Sequence, residues 1–243
     1  MKLLNGATLR TLQFGSMVLA TSALVACGGS GDSPGATVSG TAAVGAAMAN
    51  AGIVLTCKNG AGSATASASG AYSATFKFDG PCAITASSGF TVLHSFAAGA
   101  GTYNVTPLTE LLLSYLAGQL GTTVSGLLSG ISSNVTFQSA LSNSTVIANA
   151  QAAVAQLIKT QYGITLSSSS FLTVSFTPGQ PGADADLDSL QTAGAIAANG
   201  QPVASLTAAA IAAGAAAPIS GGGNGGGATG GTGGTGGTGT TAK

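Results

Sequence analysis

At Asn104 the sequence changes its hydrophobic period, and that switch constrains the fold more than any other feature of the chain. Before it, five short runs rich in β-branched or aromatic residues, at 37–41, 53–58, 71–78, 82–87 and 90–96, are punctuated by Asn59-Gly60, Ser69-Gly70, Asp79-Gly80 and Ser88-Gly89. Short strands at that spacing with glycine-containing turns predict an antiparallel β-sandwich over 36–105. Within the third run, period two is expected to hold best over Phe76 and Phe78. After the switch, Thr106 is placed to cap a helix with Pro107 at its first position, Glu110 in its first turn and Gly118 at its end. Leu108, Leu111, Leu112, Tyr115 and Leu116 fall on one face of it. A second helix is predicted over 144–162 with Gly163 as its stop, one or two shorter ones over 122–141, and a last, alanine-rich and weakly amphipathic one over 202–217. The fold class is therefore α+β: a small sandwich at 36–105 followed by a helical region at 106–217.

The 45% hydrophobic content does not promise a large core, because much of it is alanine, which buries little area per residue. Covalent help is available. Cys57 and Cys82 form an even pair if Cys27 is set aside, and closing a loop of about 26 residues stabilises a fold by roughly 3 to 4 kcal/mol in the chain-entropy model. That bond requires an oxidising compartment. The N-terminus supplies the route: Lys2 and Arg10 precede an apolar segment ending at Ala26, the layout of a secretory signal peptide over 1–26 and too short to remain as a spanning helix. Beyond the helical region, glycine and threonine repeats fill 218–243, a low-complexity tail expected to be disordered.

Leu24-Val25-Ala26-Cys27 resembles the lipobox of bacterial lipoproteins. The resemblance implies cleavage before Cys27, lipidation of its thiol and anchorage to a membrane, with 27–35 as a glycine-rich tether. Two or three acyl chains hold durably where one does not. In such lipoproteins an aspartate after the cysteine signals inner-membrane retention. Gly28 stands there, so the resemblance implies the outer membrane, with the body facing periplasm or exterior.

A second resemblance lies in the β-rich part. Val38-Ser39-Gly40, the stretch from Met48 through Asn50-Ala51-Gly52 to Leu55, and Ser69-Gly70-Ala71-Tyr72-Ser73 are similar to the carboxypeptidase-regulatory-like family, about seventy residues with a transthyretin-type sandwich. Such modules are scaffolds, and no catalytic role transfers from them. Asn104-Val105-Thr106-Pro107-Leu108-Thr109 and the later Asp186-Leu187-Asp188-Ser189-Leu190 resemble stretches of uncharacterised lipoproteins of Gram-negative bacteria.

Chemistry-bearing residues are few. The chain carries 6 basic and 6 acidic side chains, and loss of Lys2 and Arg10 makes the mature protein weakly acidic, which removes the electrostatic case for nucleic acid. His94 is the only histidine, so a zinc site lacks partners, and a lone strand histidine is far more often satisfied or on the surface than catalytic. Glu110 is the only glutamate. No nucleophile elbow or phosphate loop occurs. Asp184, Asp186 and Asp188 alternate like the first half of a calcium loop, but Ser189 stands at the hinge-glycine position and Ala195 at the closing acidic position. An acidic helix N-terminus is the other reading of that cluster. Tyr72, Tyr103 and Phe90 could contribute to a sugar-stacking platform or fill a sparse core. The expectation is a non-enzymatic envelope lipoprotein without catalytic, cofactor or metal residues. A module binding envelope glycan or a protein partner is the alternative, and a hydrolase with an unrecognised site the third.

Overall fold

The computed structural model describes residues 35–219. The expected signal peptide, the lipidated Cys27 with nearly all of its tether, and the glycine-threonine tail lie outside the described residues. Seven strands come first: β1 (Ala36–Thr41), β2 (Gly52–Thr56), β3 (Ala61–Thr65), β4 (Ala71–Phe76), β5 (Cys82–Ser88), β6 (Thr91–Ala97) and β7 (Gly101–Thr102). Six helices follow: α1 (Pro107–Gln119), α2 (Val124–Gly130), α3 (Val135–Ser142), α4 (Ser144–Tyr162), α5 (Ala183–Thr192) and α6 (Ala204–Ala215). The fold is α+β.

The strands form two sheets, a three-stranded one in the order β4-β1-β7 and a four-stranded one in the order β3-β2-β5-β6. All pairings are antiparallel except that of β1 with the short β7. Alternation sorts the side chains: Ile53 and Leu55 of β2 and Ile84 and Ala86 of β5 point into the core, while Gly52, Val54 and Thr56 point out. In β4, period two runs through the buried Tyr72 and Ala74 and already holds before Phe76, which corrects the expectation that it is clearest at Phe76 and Phe78. Those two rings meet each other at 6.0 Å between centroids at the sandwich margin.

Two strands escape the sequence reading. β3 (Ala61–Thr65) is nearly all small residues and is ordered by pairing with β2, Ile53 opposite Ala64 and Leu55 opposite Gly62. β7 is two residues long and is held by its parallel register on Val38 and Ser39. Neither has an intrinsic signal strong enough to read alone.

Cys57 and Cys82 are bonded to each other, joining the end of β2 to the start of β5 as expected. Buried residues of the sandwich and of the helices belong to one continuous core. α1 lies at its centre, with every residue from Pro107 to Gly118 buried, so the one apolar face read from the sequence is in fact a helix enclosed on all sides. Its end also differs from expectation. Gly118 sits inside the helix, and Gly121, at φ +63°, makes the left-handed turn, with Gly121 N–H donating to Gly118 O and Thr122 N–H to Ala117 O. α4 ends as predicted at Gly163, whose φ is +71°.

Candidate functional site

The N-terminus of α1 meets the β6 edge of the four-stranded sheet. β6 pairs with β5 on one side only, which leaves alternate backbone groups without a strand partner. Side chains take their place. The His94 N–H donates to Glu110 Oε1 at 2.5 Å, the Thr109 hydroxyl lies 2.8 Å from His94 O, and the Gln201 amide donates to Val92 O. The Thr109 oxygen also accepts the Thr106 N–H at 3.0 Å and so completes half of a capping box. Two residues of the first helical turn, Thr109 and Glu110, thus also close the sheet edge.

Glu110 makes a second bond. Its Oε1 lies 2.8 Å from His94 Nδ1, so the only glutamate and the only histidine of the chain are paired. The Glu110 side chain is 9% exposed and that of His94 is 30% exposed. A carboxylate can only accept, so Nδ1 is the donor in this contact, and Nε2 has no protein partner among the described residues. The sequence reading had His94 as a satisfied or surface residue and Glu110 as a helix-dipole residue. Their meeting had no signal in a spacing of sixteen residues across a strand-to-helix switch.

This pair opens onto a cleft of about 610 Å³ between the outer face of the four-stranded sheet and α2. Thr56, Ala83, Thr85 and His94 form its floor, on three neighbouring strands. Ser125, Ser129 and Ser132 supply hydroxyls and Val124, Leu128 and Ile131 apolar surface on the opposite wall, with Gln201 at the rim. The size falls within the ordinary range for small-ligand sites. The disulfide anchors the floor directly, since Cys57 follows Thr56 and Cys82 precedes Ala83.

The other sequence candidates go elsewhere. Tyr72 is buried, donates to Tyr103 O at 2.5 Å, and burial pushes its phenol well above the usual range. Tyr103 is also buried, and its oxygen accepts the Gly99 N–H at 3.0 Å. Both tyrosines therefore fill the core, and Phe90, wholly exposed at the β5–β6 hairpin tip, stands apart from them. The three aspartates lie on α5 and diverge. Asp186 accepts from the N–H and hydroxyl of Ser167 at 2.9 and 2.7 Å, and Asp184 accepts the Gly179 N–H at 2.6 Å. Asp184 Oδ1 is buried without a partner among the described residues. Burial, and secondarily Asp188 nearby, raise the Asp184 carboxyl above its ordinary value, against the lowering effect of the Gly179 N–H. Among the described residues no three acidic, histidine or cysteine side chains converge on a point where a metal could bind.

Among the described residues no single helix is long and apolar enough to cross a membrane. Comparison with family models, with curated proteins and with solved structures finds no match for this chain.

Proposed function

We propose that this chain is a non-enzymatic, lipid-anchored protein of the bacterial cell envelope whose body binds a ligand or partner in the cleft beneath α2. The observation that carries the binding part is the character of that cleft: hydroxyl and amide groups around one hydrogen-bonded His94–Glu110 pair, whose carboxylate already serves two bonds to β6. Such a lining recognises hydrogen-bonding surface better than it performs acid–base chemistry. The Leu24-Val25-Ala26-Cys27 lipobox supports the anchor, Gly28 supports the outer membrane, and the Cys57–Cys82 bond supports a body that folds outside the cytosol. The resemblance of the sandwich to carboxypeptidase-regulatory-like modules fits a scaffold role. Nucleic acid is not a partner in this reading.

Metabolic labelling with a palmitate analogue, followed by membrane fractionation, tests the anchor. Wild type is expected in the labelled membrane fraction and Cys27→Ser in neither. Label that persists in Cys27→Ser rejects the assignment. Binding of envelope glycan fractions or envelope proteins to the full chain tests the cleft, with loss of saturable binding expected in Ser129→Trp.

One observation favours a second reading. A histidine oriented through Nδ1 by a carboxylate, with Nε2 free and serines on the facing wall, is the base-and-orienter part of a hydrolase. Turnover on an ester and glycoside panel that disappears in His94→Ala would select that reading over simple binding.

A further inference from the structure

Past the cleft, the outer face of the four-stranded sheet carries no helix. Three of the four large hydrophobic residues exposed among the described ones belong to this region: Val54 at 52%, Val92 at 39% and Phe90 at 104%. Val54 and Val92 point outward from β2 and β6, and Phe90 forms the hairpin tip with Gly89, whose φ of +58° allows the two-residue turn. Between and beside them the outward positions are hydroxyls, Ser63 opposite Val54 on β3 and Ser87 opposite Val92 on β5. No lysine, arginine, aspartate or glutamate occupies an outward position on these four strands. Charged side chains make up only 5% of the chain, so what sets this face apart is its exposed apolar side chains set among hydroxyls.

We propose that the cleft and this face form one groove for an uncharged oligosaccharide strand, with one end in the cleft at His94 and the other against Phe90. The inference rests on the binding reading of the cleft and names its ligand class. Along β6 the two ends are four residues apart, about 13 Å at strand rise, room for more than one ring. Hydroxyls of the ligand meet Thr85, Ser87 and the serines of the α2 wall. Its apolar ring faces meet Val54, Val92 and the ring of Phe90, the pairing that amphipathic sugar surfaces make with aromatic and aliphatic side chains. The four strands carry no lysine, arginine, aspartate or glutamate to pair with a charged polymer, and a peptide adding beside this groove at β6 would meet Glu110, Thr109 and Gln201 on that edge.

Calorimetric titration of the full-length protein in detergent with chitohexaose and maltohexaose, and with their disaccharides, tests the groove. At least one hexasaccharide is expected to bind ten times or more tighter than its disaccharide. Phe90→Ala is expected to weaken the hexasaccharide about fivefold, leaving the disaccharide and the melting temperature unchanged, because the side chain touches nothing in the fold. Equal affinity for short and long chains, or a hexasaccharide indifferent to Phe90→Ala, overturns the groove while leaving the cleft as a site. Absence of binding by every neutral saccharide, while envelope components still bind and Ser129→Trp still blocks them, overturns the ligand class alone. A dimer in sedimentation that Phe90→Ala dissociates overturns the proposal in favour of a second copy on this face.

Discussion

Asn104 shows how much of the fold one buried polar side chain can organise. Its Oδ1 accepts the Thr41 N–H at 3.2 Å, its Nδ2 donates to Phe171 O at 3.1 Å and Val174 O at 2.7 Å, and its own N–H donates to Leu172 O at 2.7 Å. It ties the end of β1 to the loop between α4 and α5 at the point where the chain turns from strand to helix. Asn104→Ala strands the Thr41 N–H and two carbonyls in the interior, and chemical denaturation is expected to show a loss of about 3 kcal/mol. Glu110→Ala is expected to cost about 2 kcal/mol by freeing the His94 N–H, and Glu110→Gln, which keeps an acceptor for that N–H, clearly less. Asp184 adds a pH dependence. Its side chain is 1% exposed and its carboxyl is raised from 3.8, so the folded state holds a proton where the unfolded state has lost it. Stability from this residue is therefore greatest at low pH and declines as pH rises above 3.8 through the folded value. Thermal melts of Asp184→Asn against wild type should show a difference that moves in favour of the variant across that window and is flat beyond it.

At the scale of elements, the contact of α1 with α6 turns weak composition into close packing. The alanine-rich stretch reads as the least stable helix because it offers few large side chains. Yet α6 lies nearly backbone to backbone on α1, since a Cβ on Gly118 would stand 2.2 Å from Ile211 O and one on Gly214 would stand 2.0 Å from Tyr115 O. Small residues permit the approach, and Leu206, Ala210 and Gly214, four residues apart, form the buried seam. Ile211, one of the few large residues of this helix, meets Gly118 through its carbonyl. Gly118→Ala or Gly214→Ala is expected to force the helices apart at about 2 to 3 kcal/mol, and each should lower the melting temperature by about 6 to 10 °C. The helix caps needed no such context. Asn134 and Asn143 each accept from two N–H groups of the helix they begin, as short polar side chains at that position do.

For the whole molecule, the disulfide and the shared core act together. The bond closes β2 onto β5 directly under the cleft, so replacing both cysteines by alanine should lower stability by about 3 kcal/mol and loosen the floor that carries Thr56 and Ala83. Equilibrium unfolding is expected as a single transition detected equally by strand and helix probes, because one core spans both halves. Separate transitions would mean that the change of period at Asn104 is also a boundary of cooperativity.

Local chemistry made much of this legible without coordinates. Turn dipeptides and β-branched runs marked five strands, Thr106 and Pro107 marked the start of α1, Gly163 marked a helix end, and two cysteines left as an even pair marked their own bond. These signals depend on neighbours in the chain, so periodicity and propensity carry them. The small-residue strands β3 and β7 and the enclosure of α1 were decided by tertiary structure, as were the Gly118–Gly214 approach and the meeting of His94 with Glu110. Each depends on groups brought together across the core or along a sheet edge, and no spacing in one sequence records which backbone will lie opposite a glycine or a carboxylate.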